Sequence, residues 1–392
     1  MNQMNDETLM LALCRAALGE EIGERDSLAS LDGAGWASLY RLAKHHDLVH
    51  LAARGVSLLS LSPPKEILSE LRRQEMIALY RSEQVSFELA SLTEALCRAK
   101  IVHLPLKGSH LRTLYPSPEL RLSCDIDLLV RREDLAIARE TLTAELGYTD
   151  NGEGTHDVQT VAPSGLHVEL HFDLIEPDVL PEAAELLSRI WEHAKPICDG
   201  SHTLHLSDEF FYFYHIAHMA KHLTNTGGCG VRPFLDLFVL SRAGRCGDAA
   251  ARSALLSRGG LAAFEAAALE LAGAWLGGGE MTPRAEALGE FILTGGVYGV
   301  VENRVAVAAG KRKSRFAYVL SRLFPPFSTM ARRYPPLKRV PILLPFLYIV
   351  RLLSPIWSGR ARILMREAKA TGALTKEERG GAEALLSELG LH

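Results

Sequence analysis

Hydrophobic and polar positions along this chain follow two different periods. Residues 6 to 60 carry apolar side chains at helical spacing, Trp36, Leu39, Tyr40, Leu42 and Ala43 among them, with Gly33 and Gly55 as punctuation. Ser62-Pro63-Pro64 then opens a helical stretch to about Lys100, in which Ile67, Leu68, Leu71, Ile77, Leu79 and Tyr80 supply the apolar positions. Proline suits such a start because the first helical residue has no use for its N–H.

The period shortens at Ile101. Ile101–Leu106 is a short apolar run that reads as a buried strand, followed by the turn Lys107-Gly108-Ser109 and a helical segment to about Tyr115. Pro116-Ser117-Pro118 breaks that helix, and Cys124–Val130 alternates charged and apolar residues as a strand does. A helix from Asp134 to Leu146 ends at Gly147, where glycine suits the position after the last turn. Asp157–Val161 and His167–Phe172 read as two strands joined through Pro163-Ser164-Gly165. From Pro181 to Gly299 the pattern is helical again, with one helix over about Asp208–Leu223 and another over about Val231–Ala243. The expected fold is α+β: a small mixed-sheet core over 101–180, between helical regions at 1–100 and 181–300, then a basic, proline-rich helical region over 301–392.

Charge changes the picture in one place. The formal net charge is −4, yet between Lys311 and Lys369 fourteen Lys or Arg face a single acid, Glu367, so the rest of the chain carries −17. KRKSR at Lys311–Arg315 precedes Phe316, Tyr318, Val319, Leu320, Leu323 and Phe324 at helical recurrence, and Arg332, Arg333, Lys338, Arg339 and Arg351 flank the apolar Val340–Val350. Basic clusters beside apolar residues fit a segment lying on an anionic membrane surface, over about 311–360. They also fit nucleic acid, which is not favoured, or packing on the acidic remainder of the chain. Val340–Val350 is too short to span a bilayer, which needs about 20 residues. The six cysteines show no metal or redox spacing and the first residues carry acids without a basic run, so a cytoplasmic protein without a signal peptide is expected.

The chemistry lies in the middle of the chain. Asp125 and Asp127 stand at i and i+2, on one face of a strand whose Ile126, Leu128 and Val130 point the other way. Two acids held side by side repel each other unless protonated or bridged by cations, and hard cations such as Mg²⁺ take carboxylates together with substrate phosphates. By the same alternation Glu169 and His171 share a face of the later strand, so pairing of the two strands would bring Glu169 to the Asp pair. A solvated edge strand with surface acids is the plainer alternative. Lys107-Gly108-Ser109 lies at a strand-to-helix turn that offers backbone N–H groups to a phosphate, with Lys107 or Arg121 adding positive charge.

In this order the segments resemble the nucleotidyltransferase superfamily, and more closely a bacterial group with the pattern LKG…Y…R…D-x-D-LLV…ElHw. Here it reads Leu106-Lys107-Gly108, Tyr115, Arg121, Asp125-Ile126-Asp127-Leu128-Leu129-Val130 and Glu169-Leu170-His171-Phe172, with phenylalanine where the group usually has tryptophan, a change expected to affect packing. His218-Met219-Ala220-Lys221-His222 and Arg232-Pro233-Phe234-Leu235-Asp236 look like the group's H-x-x-K-H and R-x-x-x-D segments. The resemblance implies transfer of a nucleoside monophosphate from an NTP, ATP first among them, to an unidentified acceptor with release of pyrophosphate. Asp125, Asp127 and Glu169 would be the catalytic residues and hold Mg²⁺. Lys107, Gly108, Ser109, Arg121, Lys221 and His222 would bind the nucleotide.

Residue spacing leaves several points open. His218, Lys221 and His222 share one helical face, which is either ordinary surface pairing or a basic face over the cleft. Arg232 and Asp236 are spaced for an intrahelical ion pair, and His171 reads as a supporting or core histidine rather than a ligand. No Cys/His cluster has zinc spacing. Two rival functions are a catalytically silent nucleotide-binding or membrane-associated regulatory protein, and a toxin-like transferase acting on tRNA or protein.

Overall fold

The computed structural model describes residues 5–391 except 155, 176–178, 298, 300, 311–319, 321–322, 358–368, 370 and 374. Four helices open the chain, α1 (Asp6–Ala17), α2 (Arg25–Ala29), α3 (Gly33–His45) and α4 (Val49–Leu58), and the 34-residue α5 (Lys65–Arg98) follows. Side-chain caps start several helices: Asn5 Oδ1 accepts from the Thr8 N–H at 2.9 Å, and Asp32 Oδ1 from that of Gly35 at 2.8 Å. Gly55 on α4 lies against the Leu13 backbone of α1, where any Cβ would collide.

The strand-rich region contains β1 (His103–Pro105), α6 (Gly108–Leu111), β2 (Asp125–Val130), α7 (Leu135–Ala144), β3 (Thr149–Glu153), β4 (Asp157–Val161) and β5 (His167–His171). These strands form one mixed sheet in the order β1-β2-β5-β4-β3. β2 and β5 run parallel, and the other neighbours pair antiparallel. Next come α8 (Pro181–Leu187), the hairpin β6 (Ala194–Pro196) with β7 (Leu204–Leu206), α9 (Asp208–Thr226), α10 (Arg232–Arg242), α11 (Ala249–Arg258), α12 (Ala262–Leu276) and α13 (Pro283–Gly295). The described C-terminal elements include α14 (Val301–Gly310), α15 (Phe327–Arg333), α16 (Leu344–Trp357) and α17 (Lys376–Glu388).

The α+β architecture is the expected one, with three strands added. Thr149–Glu153 is too polar to show an apolar alternation, and it becomes a strand only by pairing with β4 at the sheet edge. β6 and β7 interrupt a stretch that reads as helical. This hairpin leans on the free side of β1, where the His103 N–H donates to the His202 carbonyl at 3.0 Å and His103 Nε2 meets Thr203 Oγ1 at 2.8 Å. It covers an edge that would otherwise offer unpaired backbone groups.

Strand alternation divides the sheet into two faces. Ile126, Leu128 and Val130 of β2, with Val168 and Leu170 of β5, pack against Val85, Leu92 and Leu96 of α5 and Leu135, Ala138 and Leu142 of α7. Leu104 and Leu129 point the other way, into a larger core that joins α1, α3 and α4 to α9, α10, α12 and α13. The helices before and after the sheet therefore share one interior, which Leu385, Leu386 and Leu389 of the C-terminal region also enter. A smaller cluster, Met330, Ala331 and Leu337, packs with Leu344, Leu347 and Tyr348. Lys311–Arg315, the densest part of the basic segment, lies outside the described residues. Among the described residues no helix is long and apolar enough to cross a membrane.

Two histidines sit in the helical core. His46 is 1% exposed and His50 5%, and burial pushes each pKa from 6.5 down to about 4. Both are neutral in the folded chain and take up a proton on unfolding, so stability is complete above pH 6.5 and falls as the pH drops toward 4. Urea midpoints measured across that window should fall steeply in the wild type and less steeply in His50→Gln. Equal slopes would remove His50 from the account.

Candidate functional site

Parallel pairing of β2 with β5 sets Asp127 opposite Glu169 and Asp125 opposite His167. Asp125, Asp127, Glu169 and His171 then project from the sheet face opposite the Ile126–Val168 core. Asp127 is 5% exposed, and its Oδ1 accepts from Lys107 Nζ at 2.8 Å and from His171 Nε2 at 2.8 Å. His171 Nε2 also lies 3.3 Å from Glu169 Oε2. One ligand atom each from Asp127, Glu169 and His171 falls within 4.8 Å of the others. The structure thus gathers His171 into the cluster, while Asp125 stands one step nearer the strand start and outside that tight group.

An unusual backbone delivers the lysine. Lys107 has φ of 43°, a conformation that non-glycine residues rarely adopt, at the junction of β1 and α6. The Leu106 N–H donates to the Asp127 carbonyl at 3.0 Å, which fixes the junction beside β2 before the chain turns. Gly108 follows without a side chain because the Ser123 hydroxyl occupies the place of its Cβ. Ser109 uses its own N–H on the Leu106 carbonyl at 3.1 Å, and it borders a cavity whose lining does not include the acids.

Electrostatics follow from this crowding. Burial raises Asp127, but Lys107 and His171 outweigh it and hold the carboxyl well below the usual carboxylate range. Burial opposes the charge on Lys107 and His171, and Asp127 nevertheless lifts both above their ordinary values. Lys107 and His171 also act on Asp125, without a hydrogen bond, and burial and the neighbouring Asp127 prevail over them to push it up to about 6. The hydrogen bond from His171 lowers Glu169.

A family model described as an uncharacterised nucleotidyltransferase matches residues 32–277, more than half of the chain. The chain belongs to this family. The comparisons found no match among curated proteins or solved structures. In this member of the family the donor set suits a divalent cation: the Asp127 and Glu169 carboxylates converge with the His171 imidazole, and the Lys107 ammonium lies against Asp127. Asp127, Glu169 and His171 could hold such an ion, with Asp125 adjoining.

Arg121 takes a different position from a nucleotide ligand in solvent. It is buried, and its Nε and Nη2 donate to Asp236 Oδ1 and Oδ2 at 2.6 and 2.9 Å. Tyr115 donates its hydroxyl to the same Oδ1 at 2.7 Å. Nη1 of Arg121 reaches the Leu122 carbonyl at 2.9 Å, so the guanidinium braces the segment entering β2. The intrahelical Arg232–Asp236 pair does not form, because Arg232 bonds Asp47 at 2.5 Å and Asp236 is taken by Arg121. Burial across α10 and a bidentate partner outweigh sequence proximity.

Helix α9 contributes a second wall. Lys221 Nζ donates to the Leu174 carbonyl just beyond β5 at 2.9 Å, and His218 and His222 face each other at 3.1 Å. Burial and then the Lys107 ammonium lower both histidines, His222 to about 4, so the histidine pair is neutral and Lys221 carries the charge of this face. Tyr214, one turn earlier, has a buried hydroxyl with no hydrogen-bond partner. Burial raises its pKa, and Lys107, Asp127, Asp125 and Glu169 all act on it, which places the phenol beside the charge cluster. The sequence signal was its i−4 spacing from His218. At the far end of β5, Arg132 stacks on the Phe172 ring at 3.9 Å, so the replaced tryptophan position keeps a packing role.

Removing the Asp236 carboxylate would strand a buried guanidinium. Asp236→Ala should cost about 3–5 kcal/mol of stability by urea denaturation, and the double variant Arg121→Met/Asp236→Leu should recover much of it. Full stability in Asp236→Ala would show that the pair is dispensable.

Proposed function

We propose that this protein transfers a nucleoside monophosphate from an NTP, most simply ATP, to an acceptor hydroxyl or other nucleophile, with pyrophosphate leaving and Mg²⁺ as cofactor. The observation that carries this reading is the convergence of Asp127, Glu169 and His171, with Asp125 beside them, in a member of a nucleotidyltransferase family. A bound divalent ion would neutralise triphosphate charge and lower the pKa of the acceptor.

The chain's own residues have separate tasks. Asp127 and Glu169, fixed across one strand pair, would hold the ion, and Asp125 would join them as its carboxyl loses its proton. Lys107, which bonds Asp127 from the Lys107–Gly108 turn, would offer its ammonium to the phosphates. Glu169 is the candidate base for the acceptor proton, since it lies at the outer side of the pair with more solvent access than Asp127. Tyr214 can donate its unused hydroxyl to a phosphate oxygen, and the neutral His218–His222 pair offers the nucleotide a surface without added charge. Arg121 acts through β2 and not on the nucleotide.

Purified protein incubated with Mg²⁺ and each labelled NTP should release pyrophosphate or label an acceptor from a cell extract. Asp127→Ala should lose at least about 100-fold of that activity with its circular dichroism unchanged. Metal-independent turnover, or full activity in Asp127→Ala, would overturn the reading.

We further propose that the C-terminal region rests on an anionic membrane surface. Phe346 and Ile349 on α16 are 62% and 56% exposed, Ile342 just before it is 85% exposed, and Lys338 and Arg339 are exposed nearby. Large exposed apolar side chains beside cations suit the headgroup boundary. The protein should sediment with phosphatidylglycerol vesicles and not with phosphatidylcholine vesicles, and Phe346→Glu/Ile349→Glu should stay in the supernatant. Equal binding of the variant would reject this surface.

A further inference from the structure

A cavity of about 470 Å³ opens between α5, the β1–α6 junction and the β6–β7 hairpin. Leu89 of α5, Leu204 of β7 and Phe211 of α9 give it apolar walls, and Ser109, His110 and Thr113 add polar groups along one side. Neither the sheet acids nor Lys107 lines it.

Arg112 also lines this cavity, and it is 7% exposed. Among the described residues its only hydrogen-bond partner is Ser82, whose carbonyl and hydroxyl accept from Nη2 at 2.9 and 2.5 Å. Nη1 is buried and has no partner. Neither Ser82 oxygen is charged, and among the described residues no carboxylate bonds the guanidinium, which Glu83 and Glu119 reach only through space, unlike Arg121 with its bidentate carboxylate. A buried cation in that position is costly, and an anion entering the cavity would relieve the cost by a charge-assisted bond. His110, packed edge-on against Phe211 at 4.5 Å between ring centres, stands on the same side as a second donor.

We propose that this cavity is a binding site for a small amphipathic anion, a carboxylate or phosphate monoester whose head meets Arg112 and whose apolar tail lies along Leu89, Leu204 and Phe211. Ser109 closes the end of the cavity next to the Lys107–Gly108 turn, so an occupant would press on the junction that carries Lys107 to Asp127. The proposal needs no step of the transfer reaction, and its test is made without NTP.

Calorimetric titration with octanoate, octyl phosphate and octanol separates the head group from the tail. At least one of the two anions should bind, the one that does identifying the head group, with octanol at least about tenfold weaker. Arg112→Gln should weaken the anion by about tenfold, the value of one charge-assisted bond. Ala90 is exposed on α5 at the cavity rim, so Ala90→Trp should block binding without disturbing the core, and it decides the matter if Arg112→Gln unfolds. Octanol binding as tightly as the anions, no binding by either anion, or binding unchanged in Ala90→Trp would overturn the proposal.

Discussion

Asp127 stands opposite Glu169 because β2 and β5 run parallel in one register, and a slip of one residue in either strand would turn that strand's acid into the α5–α7 core. The apolar side chains on the other face, Ile126, Leu128, Val168 and Leu170, are all fully buried and hold that register. The same packing that stabilises the sheet therefore concentrates negative charge on its opposite side. That charge has to be met, and Lys107 meets it from a strained backbone while His171 meets it from the neighbouring strand. Strain and crowding of this kind persist only where surrounding structure over-determines them.

The helices around the sheet serve this arrangement in different ways. α5 and α7 fill the core face, α10 supplies Asp236 to the segment entering β2, and α9 brings Tyr214, His218 and His222 toward the acids. Their surfaces differ in charge. The sheet side is crowded with ions, whereas on the α9 side burial keeps the histidines unprotonated beside the single cation Lys221. A polyanion with an uncharged base attached would find a suitable wall at each end.

Much of this was legible in the residues. Alternation within Cys124–Val130 and His167–Phe172 located the two strands and their charged face, and Pro63-Pro64 and Gly147 marked the start of α5 and the end of α7, whereas Gly55 lies inside α4, packed on α1. The pairing partners were not legible. Thr149–Glu153 carries no apolar alternation and exists as a strand only through β4, and the hairpin at Ala194–Leu206 depends on a neighbour, β1, about a hundred residues earlier. Among site residues, Lys107 was legible as a lysine at a turn but not as the partner of Asp127. Asp236 shows helical spacing to Arg232, and Arg121 shows only a positive charge near the phosphate turn, so neither residue reveals their bond across 115 positions. Spacing places His171 on the charged face and does not reveal that its Nε2 lies against Asp127.

The Arg121–Asp236 bond joins residues separated by 115 positions in sequence. During synthesis the strands and their acids leave the ribosome long before α10 does, with Arg121 still waiting for its carboxylate. The bond that braces the segment leading into β2 forms only once residue 236 has emerged. The acidic face is complete in sequence once β5 has been made, so its strands precede the carboxylate that braces the segment entering β2.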